Sequence, residues 1–260
     1  MMEFTTIALL SSLGLFLGML LVIEVGRRLG ARGLTRGKES DKPSAGLIDG
    51  AIFGLMGLLI AFTFSGAASR LDHRRDLVMN EANAIGTAYL RLELLPIEAQ
   101  PPLRALFREY LDARIETFQK LPDLEAAEAS LARANALQAE IWSIAVKASQ
   151  ASGSVPTITL LLSALNEMFD IATLRTTTSR VMHPPVVIYG MLFVLALISS
   201  LLAGYSLGTS REKNWIHVIG FCVITAATVY VILDIEYPRA GLIRVDAVDR
   251  VLIELRSSMK

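Results

Sequence analysis

Two long apolar stretches near the start of the chain and two near its end, separated by a polar insert, constrain this sequence most. They run from about Phe4 to Ile23, Ala45 to Ala68, Val186 to Leu207 and Trp215 to Leu233. Each is close to the ~20 apolar residues that a helix needs to cross ~30 Å of hydrocarbon. The chain is therefore expected to be an all-α integral membrane protein with four transmembrane helices in a 2+2 plan. Residues 1–69 hold the first helix pair, 70–182 an extramembrane helical domain, 183–235 the second pair and 236–260 a C-terminal tail.

Composition fits a chain half in lipid and half in water, with 53% hydrophobic residues, 25 basic and 25 acidic. The zero net charge gives no reason to expect nucleic acid. Cys222 is the only cysteine, which excludes an intrachain disulfide and a Cys-cluster metal site. The first stretch follows Glu3 with no Lys or Arg before it and is too long for a signal peptide, so it reads as a retained anchor. Sidedness is nearly balanced. Arg27, Arg28, Arg32, Arg36, Lys38 and Lys42 after the first span, with Arg211 and Lys213 between the last two, put those loops in the cytoplasm and the insert outside. Arg70, Arg74, Arg75, Arg175, Arg180, Arg239, Arg244 and Arg250 pull the other way, and the count favours the insert outside by a small margin. The expected location is the inner membrane of the cell.

The insert is rich in Ala, Leu, Glu and Arg and lacks period-two alternation, so it reads as helical. No proline stands between Asp49 and Leu95. One helix of about 45 residues, roughly 70 Å long, should therefore run from the second span into the insert and stop at Pro96. Pro101 and Pro102 open the next helix, and Pro122 and Asp123 open another that reaches about Ser149. Gly153 and Pro156 precede a fourth, and Pro184 and Pro185 mark re-entry into the membrane. The Ala-rich 124–149 segment is only weakly amphipathic and is expected at the periphery. Residues 29–44 are the one linker-like piece.

Three groups of residues stand out as functional candidates. In the second span Gly46, Gly50, Gly54, Gly57, Ala61 and Ser65 form a stripe of small residues, a pattern that lets helices approach closely in lipid. Ile52, Met56, Ile60 and Phe64 recur every four residues, either as lipid contacts or, repeated around several subunits, as a dewetting constriction. At the membrane edges lie Glu24, Asp49, Asp234 and Glu236, followed by Arg239. Charges at that depth need partners or water, so pairing of Asp234 or Glu236 with an arginine such as Arg70 or Arg239 stands beside ion contact. Glu81, Asn83 and Thr87, read as lying near one face of the long helix, could form an interhelical hydrogen-bond network or line a wet vestibule.

Enzyme signals are lacking. His73, His183 and His217 have no metal-ligand spacing, and there is no GxSxG, GxGxxG or Walker A pattern. Asp234 and Glu236 alone are two possible cation ligands without a third. No cofactor and no metal is expected.

The run GLLIAFTFSGAASRLDHRRDLVMNEANAIGTAYLRLELLP at Gly57–Pro96 and the segment LDIEYPRAGLIRV at Leu233–Val245 resemble a bacterial family of four-span membrane proteins called bestrophin-like. The EANAIGTAYLR and DIEYPR strings fall at corresponding places, and the similarity extends over most of the chain. Bestrophin channels are pentamers whose second span lines a narrow apolar neck and whose insert is cytosolic. The resemblance thus implies that Ile52, Met56, Ile60 and Phe64 are neck residues. It also implies a cytosolic insert, against the small margin from charge. No acidic calcium-clasp cluster follows the last span here, so calcium gating is not implied.

The expected function is a homo-oligomeric, pentameric ion channel for anions, with the second helix lining the pore. Glu81, Asn83, Thr87, Asp234, Glu236 and Arg239 would shape the vestibule or lock subunits. Its expected partners are the lipid bilayer, further copies of the chain and small inorganic ions. The rival is a membrane-anchored helical sensor or scaffold that acts through a partner protein.

Overall fold

The computed structural model describes residues 2–35, 42–208, 215–239, 241–243 and 246–259. Among them the chain is helical without a strand, as the apolar runs and the helix-forming insert require. The helices are α1 (Met2–Thr35), α2 (Lys42–Arg91), α3 (Gln100–Gln119), α4 (Leu124–Ser152), α5 (Val155–Val181), α6 (Val186–Gly208), α7 (Trp215–Glu236) and α8 (Asp246–Ser258). Four stretches are long and apolar enough to cross a membrane: Thr5–Arg32, Gly46–Leu94, Val155–Gly208 and Trp215–Glu236. Of the linker expected over 29–44, residues 29–35 belong to α1 and 42–44 to α2, and 36–41 lie outside the described residues. α2 is one unbroken helix of 50 residues, about 75 Å at 1.5 Å per residue. It ends at Arg91 and tightens into a 3-10 turn over Leu92–Leu94 before Pro96.

The helices form two compact units, residues 1–69 with 183–237, and residues 70–182 with 238–260. In the membrane unit α1 packs along α6 and against α7. Its apolar centre is Leu15, Met19, Ile23, Met56, Ala196, Val218, Cys222 and Val229, and Phe53 meets Phe221 edge-on at 5.9 Å. The α1–α6 contact is glycine against backbone. A Cβ on Gly26 would strike the carbonyl of Leu201, and one on Gly30 that of Tyr205. Reciprocally, a Cβ on Gly204 would strike the carbonyl of Ile23, and one on Gly208 that of Arg27. Partner numbers rise together along the two helices, so they run parallel and their C-terminal ends lie at the same end of the unit. Each helix carries a Gly-x-x-x-Gly pair, and the missing side chains are what allow the backbones to touch.

In the insert unit α3 packs on α4, α4 on α5, and α8 on α3. Ile85, Leu92, Phe107, Tyr110, Ile141 and Leu165 are fully buried in its core. Tyr89 meets Phe107 at 5.9 Å and Trp142 meets Phe169 at 6.4 Å, both edge-on. Pro101 and Pro102 sit in the first turn of α3, where a missing N–H costs nothing. Asp123 caps α4 by accepting from the Ala126 N–H, and Gly153 closes it at φ 65°. Ser154 caps α5. α4 is not peripheral as expected: Ala134, Ile141 and Ala145 are wholly buried. Its alanines weaken the amphipathic pattern but let it lie close to α3. The stretch expected as a tail folds back as α8 and belongs to this unit.

Candidate functional site

Two features of α2 bear on function: the faces that it presents in the membrane unit, and the carboxylate that it buries in the insert. In the membrane unit Met56 is buried, with Ile60 and Phe53 packed against the same cluster, whereas Phe64 is 42% exposed. Ile52 is half-buried. A four-residue repeat advances about 40° more than a full turn at each step, so the Ile52–Phe64 stripe winds from the packed side to the open side. It is not one face, and its middle is filled by the packing of the membrane unit itself. The small stripe behaves differently. The three-residue step from Gly54 to Gly57 resets the drift, and Gly46, Gly50, Gly54, Gly57, Ala61 and Ser65 are all exposed. A Cβ at any of the four glycines would meet nothing within 4 Å. Close helix packing within the membrane unit is thus supplied by Gly26, Gly30, Gly204 and Gly208 rather than by this stripe. The Gly-x-x-x-Gly spacing of those four residues was the sequence signal for it.

In the insert, Glu81 is fully buried while Asn83 and Thr87 are exposed. Residues two apart on a helix point to nearly opposite sides, so the three do not share a face. Glu81 instead anchors a chain of ion pairs. Its Oε1 accepts from Arg114 Nε at 2.5 Å and its Oε2 from Arg175 Nη1 at 2.6 Å. Arg175 Nη2 donates to Asp249 Oδ1 of α8 at 2.9 Å. Arg239 reaches the same carboxylate at 2.8 and 3.1 Å. Arg114 also donates to Thr176 Oγ1 at 3.2 Å and to the Ala172 carbonyl at 3.3 Å. The Phe118 ring lies under the Arg175 guanidinium at 3.7 Å, with those of Arg239 and Arg114 at 5.0 and 5.4 Å. Burial opposes the charge on Arg114, but the Glu81 carboxylate together with Tyr110 raises the guanidinium above its ordinary value. Burying Arg114 and Arg175, with Arg239 half-buried beside them, is tolerable because two carboxylates and an aromatic face meet them. Within the insert unit Arg239 thus pairs with Asp249. Arg114, Arg175 and Asp249 lie far apart in sequence, and no spacing rule singles them out.

At the end of α7, Asp234 and Glu236 are buried at 1% and 0% exposure. Tyr230 donates to Asp234 Oδ1 at 3.5 Å. His183 Nδ1 stands 3.3 Å from Glu236 Oε1, and its ring stacks on Tyr237 at 4.7 Å. At the far end of α1, Glu24 is held by Arg27 at 2.8 and 2.9 Å and by Arg28 at 2.8 Å. Among the described residues no group of three or more His, Cys, Asp or Glu is placed to hold a metal ion.

These features match known proteins over nearly the whole chain. The sequence model of the Bestrophin-like domain matches residues 13–249. Among solved structures, the fold resembles crystal structures of a bacterial bestrophin homologue from Klebsiella pneumoniae. One is 14% identical with a TM-score of 0.65 over 93% of this chain and 98% of that one. A second is 13% identical with a TM-score of 0.68 over 93% and 98%. A third is 14% identical with a TM-score of 0.68 over 95% and 99%. At such identity the likeness is one of fold. No curated protein matches the sequence. With four membrane-crossing helices arranged 2+2 around a helical insert, this multi-pass membrane protein belongs to the bestrophin-like family.

Proposed function

We propose that the chain is one subunit of a homo-oligomeric channel for small inorganic ions in the inner membrane of the cell, with α2 lining the passage. The observation that carries this reading is the open face of α2. A Cβ at Gly50, Gly54 or Gly57 would meet nothing within 4 Å, and Ala61 and Ser65 are exposed beside them. A glycine-lined helix face gains little contact from lipid tails. It is better satisfied by the close approach of another copy or by water. Family membership agrees with this reading, and the resemblance to bestrophin channels favours a pentamer and anions as cargo. The winding of the Ile52–Phe64 stripe moves the proposed constriction to its emergent end, Phe64 with Ile60 behind it. Asn83 and Thr87, exposed on the insert part of α2, are the polar groups left to line a vestibule or to meet a neighbouring subunit.

Anion flux from proteoliposomes tests the reading. The expected result is flux above empty vesicles, changed several-fold by Phe64→Ala. Flux equal to that of empty vesicles, with Phe64→Ala also silent, would discard it. The unbroken run of α2 from the membrane stretch into the insert also suits a membrane-anchored sensor or scaffold. Absent flux together with a stoichiometric co-purifying partner would favour that rival.

A further inference from the structure

α8 is a short helix held by one apolar edge and by charge. Among its described apolar residues Leu252 is deeply buried, with Val248 and Leu255 packed against the core, and Met259 just beyond its end is buried too. Its polar ties run to Arg175 and Asp112, distant in the insert, and to nearby Arg239: Asp249 meets Arg175 and Arg239, and Arg256 meets Asp112 through two bonds of 2.7 and 2.9 Å. A helix of 13 residues has little stability of its own, so its order depends on docking. Arg175 binds Asp249 with one nitrogen and Glu81 of α2 with another, while its guanidinium is clamped over Phe118. The docking of α8 and the seating of the insert part of α2 thus share one buried side chain.

We propose that α8 is a detachable latch, coupled through Arg175 to the Glu81 segment of α2. When α8 leaves, Arg175 loses its second carboxylate and stays buried beside Arg114 with Glu81 alone between them. The Glu81–Arg175–Phe118 arrangement must then loosen. Local release of this kind is a two-state event on a small element, and its coupling is reciprocal: what strengthens the Glu81 pairings holds α8 down. Ligation of α8 by a partner, or its release, would thereby reach the helix that is proposed to line the passage. Only this last link rests on the channel reading.

Hydrogen exchange of the full-length protein in nanodiscs, read by mass spectrometry, tests the latch without requiring conduction. With Asp249→Asn, amides of residues 246–259 should exchange at least tenfold faster and those of 77–92 at least threefold faster, with 124–152 unchanged. Arg256→Ala cuts the other tie of α8 without touching the Arg175 chain and should reproduce both effects more weakly. If α8 loosens in either variant while 77–92 keeps its protection, the coupling is refuted. If α8 keeps its protection in both, the latch is refuted. Should Asp249→Asn loosen 124–152 as well, Arg256→Ala alone decides between these outcomes. Ion flux measured in parallel should change at least threefold in the variants. If exchange responds while no form of the protein conducts, the channel reading fails and the latch stands.

Discussion

Replacing Glu81 by Gln removes the charge shared by Arg114 and Arg175 while leaving volume and shape almost unchanged. The side chains of the three residues are 0%, 1% and 3% exposed, so water cannot take over. Breaking a buried pair by neutralising one partner costs about 3–5 kcal/mol, because a charge is left desolvated. Here one carboxylate serves two guanidinium groups. Arg114 retains Thr176 and the Ala172 carbonyl, and Arg175 retains Asp249, which keeps the loss within that range. A chain of this size loses about 2–4 °C of Tm per kcal/mol, so Tm should fall by roughly 6–20 °C. Trp142, packed on Phe169 in the insert, reports the transition by fluorescence in a Trp215→Phe background. The reference is Arg133→Ala, which cuts an ion pair to Glu109 whose side chains are 51% and 53% exposed. That change should cost about 0–1 kcal/mol. If Glu81→Gln unfolds within about 1 kcal/mol of Arg133→Ala, the charge on Glu81 is not what holds this part of the insert together.

Two further outcomes follow from the packing. Gly204→Val places a side chain on the backbone of Ile23 and should cost about 1–3 kcal/mol or more in thermal unfolding, whereas Gly190→Val, with nothing within 4 Å, should be close to silent. Tyr110, fully buried and accepting from Gln138, has its hydroxyl pushed up to about 12 by burial, with Arg114 opposing and Glu81 assisting. The unfolded phenol ionises near pH ~10, so the contribution of Tyr110 to stability is intact below that and is lost as pH rises through about 12. Tyr110→Phe should flatten the fall in stability over that alkaline window, as measured by denaturant unfolding at successive pH values.

Much of the architecture was legible because its signals are local. Apolar run length marked the membrane helices, and the prolines, with Asp123 and Gly153, marked the joints of the insert. The absence of a breaker after Ser69 marked the continuity of α2. Composition misled at α4, where alanine weakens the amphipathic pattern yet packs well. At Glu81, Asn83 and Thr87, nearness in sequence passed for a shared face. The glycine pairs of α1 and α6 were visible as spacing, but the longer stripe on α2 matched the same rule, and spacing cannot say which small residues find a partner.

Helix type, order and approximate ends, and the presence of a membrane region, could be read from residue order, because hydropathy and helix breaking act over one or two turns. How each helix is rotated and which distant groups meet emerged from the packed fold. It turned Met56 inward and left Gly50, Gly54, Gly57, Ala61 and Ser65 of α2 open. It also brought Arg175 to a carboxylate 94 positions away and to another 74 positions away. A helix of fixed composition can be turned about its axis at little local cost. The choice among rotations is made by the summed packing of its neighbours and by the cost of leaving a buried charge unpaired.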